Sequence, residues 1–140
     1  MVDETLILRK LSELEEYLRQ IQEFKYISIS QYRKDWKIQR IIERTLQMMI
    51  ETCADIASHI ISDKKYRIPN SYVETFEVLY DNKLINKNLF ETMKKMAKFR
   101  NVVVHHYDNV DAEIVVAILK KNLTDFTTYK TAIIQALKNS

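Results

Sequence analysis

Glycine is missing altogether from the 140 residues, where average usage of about 7% would supply roughly ten. Its absence removes the glycine-rich phosphate loop, the dinucleotide-binding fingerprint and the nucleophile elbow, which all need backbone freedom at a phosphate or a sharp turn. Two-residue hairpins become difficult as well, because their turns favour glycine at positive φ. Kinases, Rossmann dehydrogenases and α/β-hydrolases are therefore poor candidates. With a single proline, the chain reads as helix nearly throughout. The single cysteine, Cys53, permits no internal disulfide and no thiolate metal site, so no metal and no cofactor is expected. No apolar run approaches the roughly 20 residues needed to cross a bilayer, so no membrane partner is expected. The opening Met1-Val2-Asp3-Glu4-Thr5 is acidic, unlike a signal peptide, and the combination points to the cytoplasm. Charge of one sign is scarce too: 22 Lys+Arg against 19 Asp+Glu leave +3, with no dense basic run of the kind a duplex-coating DNA binder carries.

What is present is helical periodicity. Ile7, Leu11, Leu14, Leu18 and Ile21 recur at steps of four and three, one face of an amphipathic helix from Asp3 to about Phe24. Tyr26 to Arg33 is rich in serine and in β-branched or aromatic residues and reads as a connection. A second helix is predicted from about Lys34 to Ile61, with the stripe Ile38, Ile42, Thr45, Met49, Cys53, Ile56 and Ile60. Pro69 breaks the chain after it. Ser71 and Glu74 form a capping-box pattern that opens a third helix carrying Phe76 and Leu79. Asp81-Asn82-Lys83 makes a turn without glycine. A fourth helix runs from about Lys87 through Leu89, Met93, Met96 and Phe99 into Arg100-Asn101-Val102-Val103-Val104-His105-His106-Tyr107. Asp111 then caps a last helix to about Leu137, expected to bury Ile114, Ala117, Ile118, Leu123 and Phe126. Hydrophobic content of 46% suits one core, so residues 1–140 read as a single all-α domain, an antiparallel four- to five-helix bundle.

At about 100° per residue, Met93, Met96, Val103 and Val104 cluster on one side of the fourth helix, with Arg100 in their midst and Tyr107 beside it. An arginine is rarely buried alone, so this stripe is expected to meet another surface, such as a second copy of the chain. Asn101 and His105 fall together on the flank, with Lys94 and Lys98 pointing the same way. This set suits RNA cleavage without metal. Histidine takes a proton from a 2′-hydroxyl or gives one to the leaving oxygen near neutral pH. Arginine pairs in bidentate fashion with the phosphate and stabilises charge developing on it, and Asn101 can orient the phosphate or the imidazole. Spacing alone also admits a plain structural reading, in which Arg100 pairs with a neighbouring carboxylate and His105 caps the helix end.

The segment carries an Arg-x4-His-x-Tyr motif, and the chain resembles the HepT branch of the HEPN superfamily over essentially its whole length. The likeness includes Ile7-Leu8-Arg9-Lys10-Leu11, Glu51 to Ile61, Pro69-Asn70-Ser71-Tyr72, Phe76-Glu77-Val78-Leu79 and Met96 to Tyr107. It implies the toxin of a toxin–antitoxin pair: a helical homodimer whose motifs face each other across a composite cleft and cleave single-stranded RNA to a 2′,3′-cyclic phosphate. On this resemblance Arg100 and His105 are the catalytic pair and Asn101 the adjacent polar residue. Tyr107 matches the tyrosine that a minimal nucleotidyltransferase antitoxin (MntA-like) modifies with AMP. Two positions depart from the family pattern. A glycine common near the motif is replaced by Ala97 or Lys98, and His106 stands where an acidic residue is usual, which leaves the choice of imidazole between His105 and His106 open.

Other positions carry weaker signals. Asp55 and His59, four apart on the second helix, suit a structural pair or a supporting role near the cleft, and are too few for a metal site. Met48-Met49 suits core packing and Cys53 a buried, inert thiol. Tyr66 and Tyr72 can stack an RNA base or pack the Pro69 loop. A different class of protein would use the same residues: a non-catalytic subunit that binds a nucleotide or substrate for a separate nucleotidyltransferase.

Overall fold

The computed structural model describes residues 2–139; Met1 and Ser140, the two ends of the predicted domain, lie outside the described residues. Seven α-helices and no strand occur among the described residues: α1 (Glu4–Ile21), α2 (Ile29–Lys34), α3 (Trp36–Asp63), α4 (Tyr72–Asp81), α5 (Lys87–His105), α6 (Ala112–Ala117) and α7 (Leu123–Lys138). No helix among them is long and apolar enough to cross a membrane.

The helices begin where side chains satisfy their orphan amides. Asp3, Ser28, Asp35, Ser71, Asn86 and Asp111 each accept a hydrogen bond from a backbone N–H in the first turn of α1 to α6. Their ends manage without glycine. Lys65 and Lys83 take positive φ, 58° and 63°, just past α3 and α4. At each end two backbone bonds close a Schellman motif: Tyr66 N–H to Ile61 and Lys65 N–H to Ser62, then Leu84 N–H to Leu79 and Lys83 N–H to Tyr80.

Helix α3 is the central element. Its N-terminal partner α1 runs antiparallel to it, since the Asp3 N–H donates to Asp63 (3.3 Å) and Lys10 pairs with Asp55 (2.5 Å). Helices α4 and α5 cover other sides of α3, and α7 reaches it through the buried Tyr129, whose hydroxyl donates to the Cys53 carbonyl at 2.7 Å. Because α3 is enclosed on several sides, its buried face is wider than the predicted stripe and adds Leu46, Ile50, Ala54, Ala57 and Ile61. Ile38 and Thr45 stay half-buried at its edge. Cys53 is fully buried, and burial pushes its thiol pKa up, as an inert core cysteine requires.

Three expectations need correction. Tyr26–Arg33 is not all connection. Ser28 and Gln31 form a capping box that starts α2, and Asp35 ends it by capping α3, so the long helix begins at Trp36. The last helix is broken by a π-helical stretch, Ile118–Asn122, which shifts the buried face by inserting an extra residue into one turn. Before that stretch Val115 and Val116 point inward, so Ile114 is 50% exposed and Ala117 half-buried, contrary to the pattern read across the whole run. Met48 is half-buried and lines a surface depression, while Met49 alone of that pair is core.

Candidate active site

Arg100 leaves α5 on the side that faces α3 and α4. Its Nε donates to Glu51 Oε2 at 2.8 Å, and Nη2 lies 2.8 Å from the same oxygen. Gln47 Nε2 also donates to that oxygen, at 3.0 Å. Nη1 donates to Asn101 Oδ1 at 3.2 Å, and the guanidinium carbon sits 4.3 Å from the centroid of the Tyr72 ring. Met93, Met96 and Val103, the apolar neighbours of Arg100 on the helical wheel, are buried within the chain itself. The stripe is therefore covered within the same molecule, and Glu51 of α3 supplies the carboxylate that a half-buried arginine needs. Of the five guanidinium N–H groups, three face these partners and two remain, one on each terminal nitrogen, the arrangement that pairs with a phosphate.

The pairing of Arg100 with a carboxylate was one of the two readings that its spacing admits, but the sequence does not single out Glu51 as the partner. It lies 49 residues from Arg100 in the chain, and no periodicity signals a pairing between helices. Tyr72, legible as an aromatic near the loop, packs its ring against the Arg100 guanidinium. Tyr66 packs against the core. Asn101, expected to orient a phosphate or an imidazole, accepts from the guanidinium through its carbonyl oxygen, which leaves its two N–H donors for another partner.

Helix α5 ends at His105, and this overturns the expected placing of Tyr107 beside Arg100. His106 has φ −139° and ψ 47°, and Tyr107–Asn109 forms a 3₁₀ turn closed by Asn109 N–H to the His106 carbonyl at 2.8 Å. Three consecutive β-branched valines followed by Asp108-Asn109, whose side chains compete for backbone bonds, favour that ending. His105 and His106 are both exposed, and neither imidazole has a hydrogen bond among the described residues. His105 is thus the last helical residue but not a side-chain cap. Tyr107 is 59% exposed and lines a cleft of about 360 Å³ with Tyr32, Arg33, Arg40 and Glu43. In the wall of that cleft the Tyr32 hydroxyl donates to the buried Glu43 carboxylate at 2.5 Å; burial first, then the carboxylate, push the Tyr32 phenol well above its usual range.

Asp55 and His59 do not come together tightly. Asp55 pairs with Lys10, and the His59 Nε2 lies 4.0 Å from Asp55 Oδ1. Asp55 shares a polar depression with Glu51, Tyr72 and Arg44, next to the Arg100 cluster, whereas His59 is not in its lining. Lys94 lies over the Phe90 ring at 6.0 Å and Lys98 is exposed. No group of three or more His, Cys, Asp or Glu side chains among the described residues is placed to hold a metal ion.

A family model described as Ribonuclease HepT-like matches residues 14–133. The chain belongs to this family. It is similar to an mRNA nuclease HepT of Shewanella oneidensis, 33% identical over 124 residues that make up 89% of this chain and 92% of that one. A tRNA nuclease HepT of Aphanizomenon flos-aquae is 27% identical over 128 residues, 91% of this chain and 87% of that one. Among solved structures, a tri-AMPylated HEPN toxin of Shewanella oneidensis in complex with an MNT antitoxin superposes with a TM-score of 0.84 at 33% identity, covering 97% of this chain and 99% of that one. Membership makes this HepT-like chain an enzyme of the ribonuclease class with the all-α HEPN-like fold. The two HepT relatives are named for different RNAs, one for mRNA and one for tRNA.

Proposed function

We propose that this chain is the toxin of a toxin–antitoxin pair, a cytoplasmic, metal-independent endoribonuclease that cleaves single-stranded RNA and is silenced by a minimal nucleotidyltransferase antitoxin acting on Tyr107. The observation that carries this reading is the state of Arg100: braced by Glu51, Asn101 and Tyr72, it keeps two N–H groups for a phosphate. In the reaction the ribose 2′-oxygen attacks the adjacent phosphorus as an imidazole removes its proton. The bond to the 5′-oxygen breaks, that oxygen is protonated, and a 2′,3′-cyclic phosphate and a 5′-hydroxyl result. Arg100 stabilises the charge that builds on the phosphoryl oxygens. His105 is the assigned imidazole, with His106 next to it at the exposed helix end.

Arg100 and His105 are five residues apart on α5, about 140° apart around the axis. Groups so directed converge poorly on one phosphate within a single chain, which supports a homodimer in which the two motifs complete one cleft. Tyr107, exposed at the edge of the motif, is open to attack on the α-phosphorus of ATP: the phenolic oxygen forms the new P–O bond, pyrophosphate leaves and the phenol proton is lost. The attached AMP adds a negative charge and bulk where RNA phosphates must approach.

The test uses purified protein and single-stranded RNA with a chelator present. Cleavage to cyclic-phosphate ends is expected from the wild type and not from His105→Ala. Nucleotide binding with no cleavage under any condition would instead identify a non-catalytic subunit of a two-component nucleotidyltransferase. Co-expression with a nucleotidyltransferase should add AMP mass to Tyr107, and an unmodified, still active protein would remove Tyr107 from the regulatory role.

A further inference from the structure

A line of groups outside the motif leads to Arg100 along α3. Trp36, Arg40, Arg44, Gln47 and Glu51 recur at helical spacing and lie within about 80° of one another around the axis, a stripe about 22 Å long. Its far end is Glu51, which holds Arg100, with Gln47 on the same carboxylate. Arg44 shares the polar depression with Glu51 and Tyr72, and Arg40 shares the cleft with Tyr107. At the near end Trp36 is 65% exposed, with the Lys37 ammonium 5.9 Å from its ring centroid. A large aromatic so exposed adds little to the core, and its open face is available for stacking.

Two of the acids nearest this line are engaged by other groups. Asp35 spends its carboxylate capping α3, and Glu43 is buried against the Tyr32 hydroxyl. Arg40 has a single distant partner, Glu43 at 3.6 Å, and Arg44 has no ion pair among the described residues. Arg40 and Arg44 thus offer their guanidinium groups along the same stripe as an exposed indole, with Glu13 in the depression beside Arg44 and Asp108 and Asp111 in the cleft beside Arg40. Cations alternating with an open aromatic are what a single strand needs, since its phosphates pair with the cations and its unpaired bases offer π faces. A duplex would hide those faces.

We infer that the Trp36–Glu51 stripe of α3 is the track along which single-stranded RNA reaches Arg100, with Trp36 stacked on a base and Arg40 and Arg44 on its phosphates. The inference rests on the ribonuclease reading and adds to it a binding surface remote from the motif. Trp36 is the only tryptophan in the chain, so its emission reports directly on the track.

In His105→Ala protein, which keeps RNA intact, a single-stranded RNA of about 12 nucleotides should quench Trp36 emission to saturation, and a duplex of the same sequence far less. Trp36→Ala, and separately Arg40→Ala with Arg44→Ala, should weaken RNA affinity about 5-fold or more by anisotropy. On the otherwise wild-type background they should raise KM while kcat holds, with circular dichroism confirming the fold. Wild-type cleavage with Trp36 emission untouched by RNA, and with KM unchanged in Trp36→Ala, overturns the track and leaves the ribonuclease reading standing. Quenching by RNA without cleavage by the wild type has the opposite meaning: the track holds and the ribonuclease reading fails. Protection of Trp36 by a nucleotidyltransferase, with no response to RNA, assigns the face to protein docking and also overturns the track.

Discussion

Arg100 and His105 belong to one helix yet occupy opposite surroundings. The arginine side chain is 14% exposed, with a carboxylate, an amide and an aromatic ring accounting for three of its N–H groups and one of its faces. The imidazole stands at the open end of α5 with no hydrogen bond among the described residues. The difference separates two demands of the proposed chemistry. A phosphate-binding cation works best when its geometry is set before substrate arrives, because orientation then costs nothing at the moment of reaction. A group that moves a proton needs access to two oxygens in turn, and in a composite cleft it must reach across to the second copy.

The largest effects should break this contrast apart. His105→Ala is expected to lower RNA cleavage roughly 10²- to 10⁴-fold with little change in the urea midpoint, since the side chain is exposed and makes no hydrogen bond among the described residues. Arg100→Ala should abolish cleavage to a similar degree, but it also strands the Glu51 carboxylate, so stability should fall by about 1–3 kcal/mol. Equal midpoints for the two variants would show that the Glu51–Arg100 contact does not brace the fold. Arg100→Lys keeps the charge but not the fork, and should recover stability better than cleavage.

A middle-sized effect tests whether bracing matters to catalysis. Glu51→Ala frees the guanidinium to rotate, and cleavage should fall about tenfold, the cost of losing one well-placed hydrogen bond. The loss should come mainly in kcat, because a misaimed cation still attracts RNA. A fall in stability with kcat intact would make Glu51 a purely structural partner.

How much of this was legible in the sequence depends on whether a feature is local. Of the face read from spacing, Ile7, Leu11, Leu14 and Ile21 are buried and Leu18 is half-buried, and Ser71 and Asp111 cap their helices as expected. The motif and its family were legible because residue types in order carry them. Helix α2 was missed although Ser28 and Gln31 spell a capping box, because a six-residue helix in a stretch rich in serine and in β-branched or aromatic residues resembles a connection. The place of Tyr107 depended on one backbone rotation at His106, and the partner of Arg100 on how α3 packs against α5; neither leaves a periodic trace.

The smallest effect concerns the missing glycines. Lys65 and Lys83 hold left-handed conformations at the two Schellman ends, where an L-residue with a Cβ is disfavoured by about 1–2 kcal/mol and glycine is not. Lys65→Gly and Lys83→Gly should therefore each stabilise the fold, but by only about 0.5–1 kcal/mol, since glycine also gains freedom in the unfolded chain. The two sites lie past different helices, so their effects should add in denaturant midpoints while cleavage is unaffected. A loss of stability in either variant would mean that the lysine gives back more than its backbone costs, for instance by placing its ammonium on the last carbonyls of the helix.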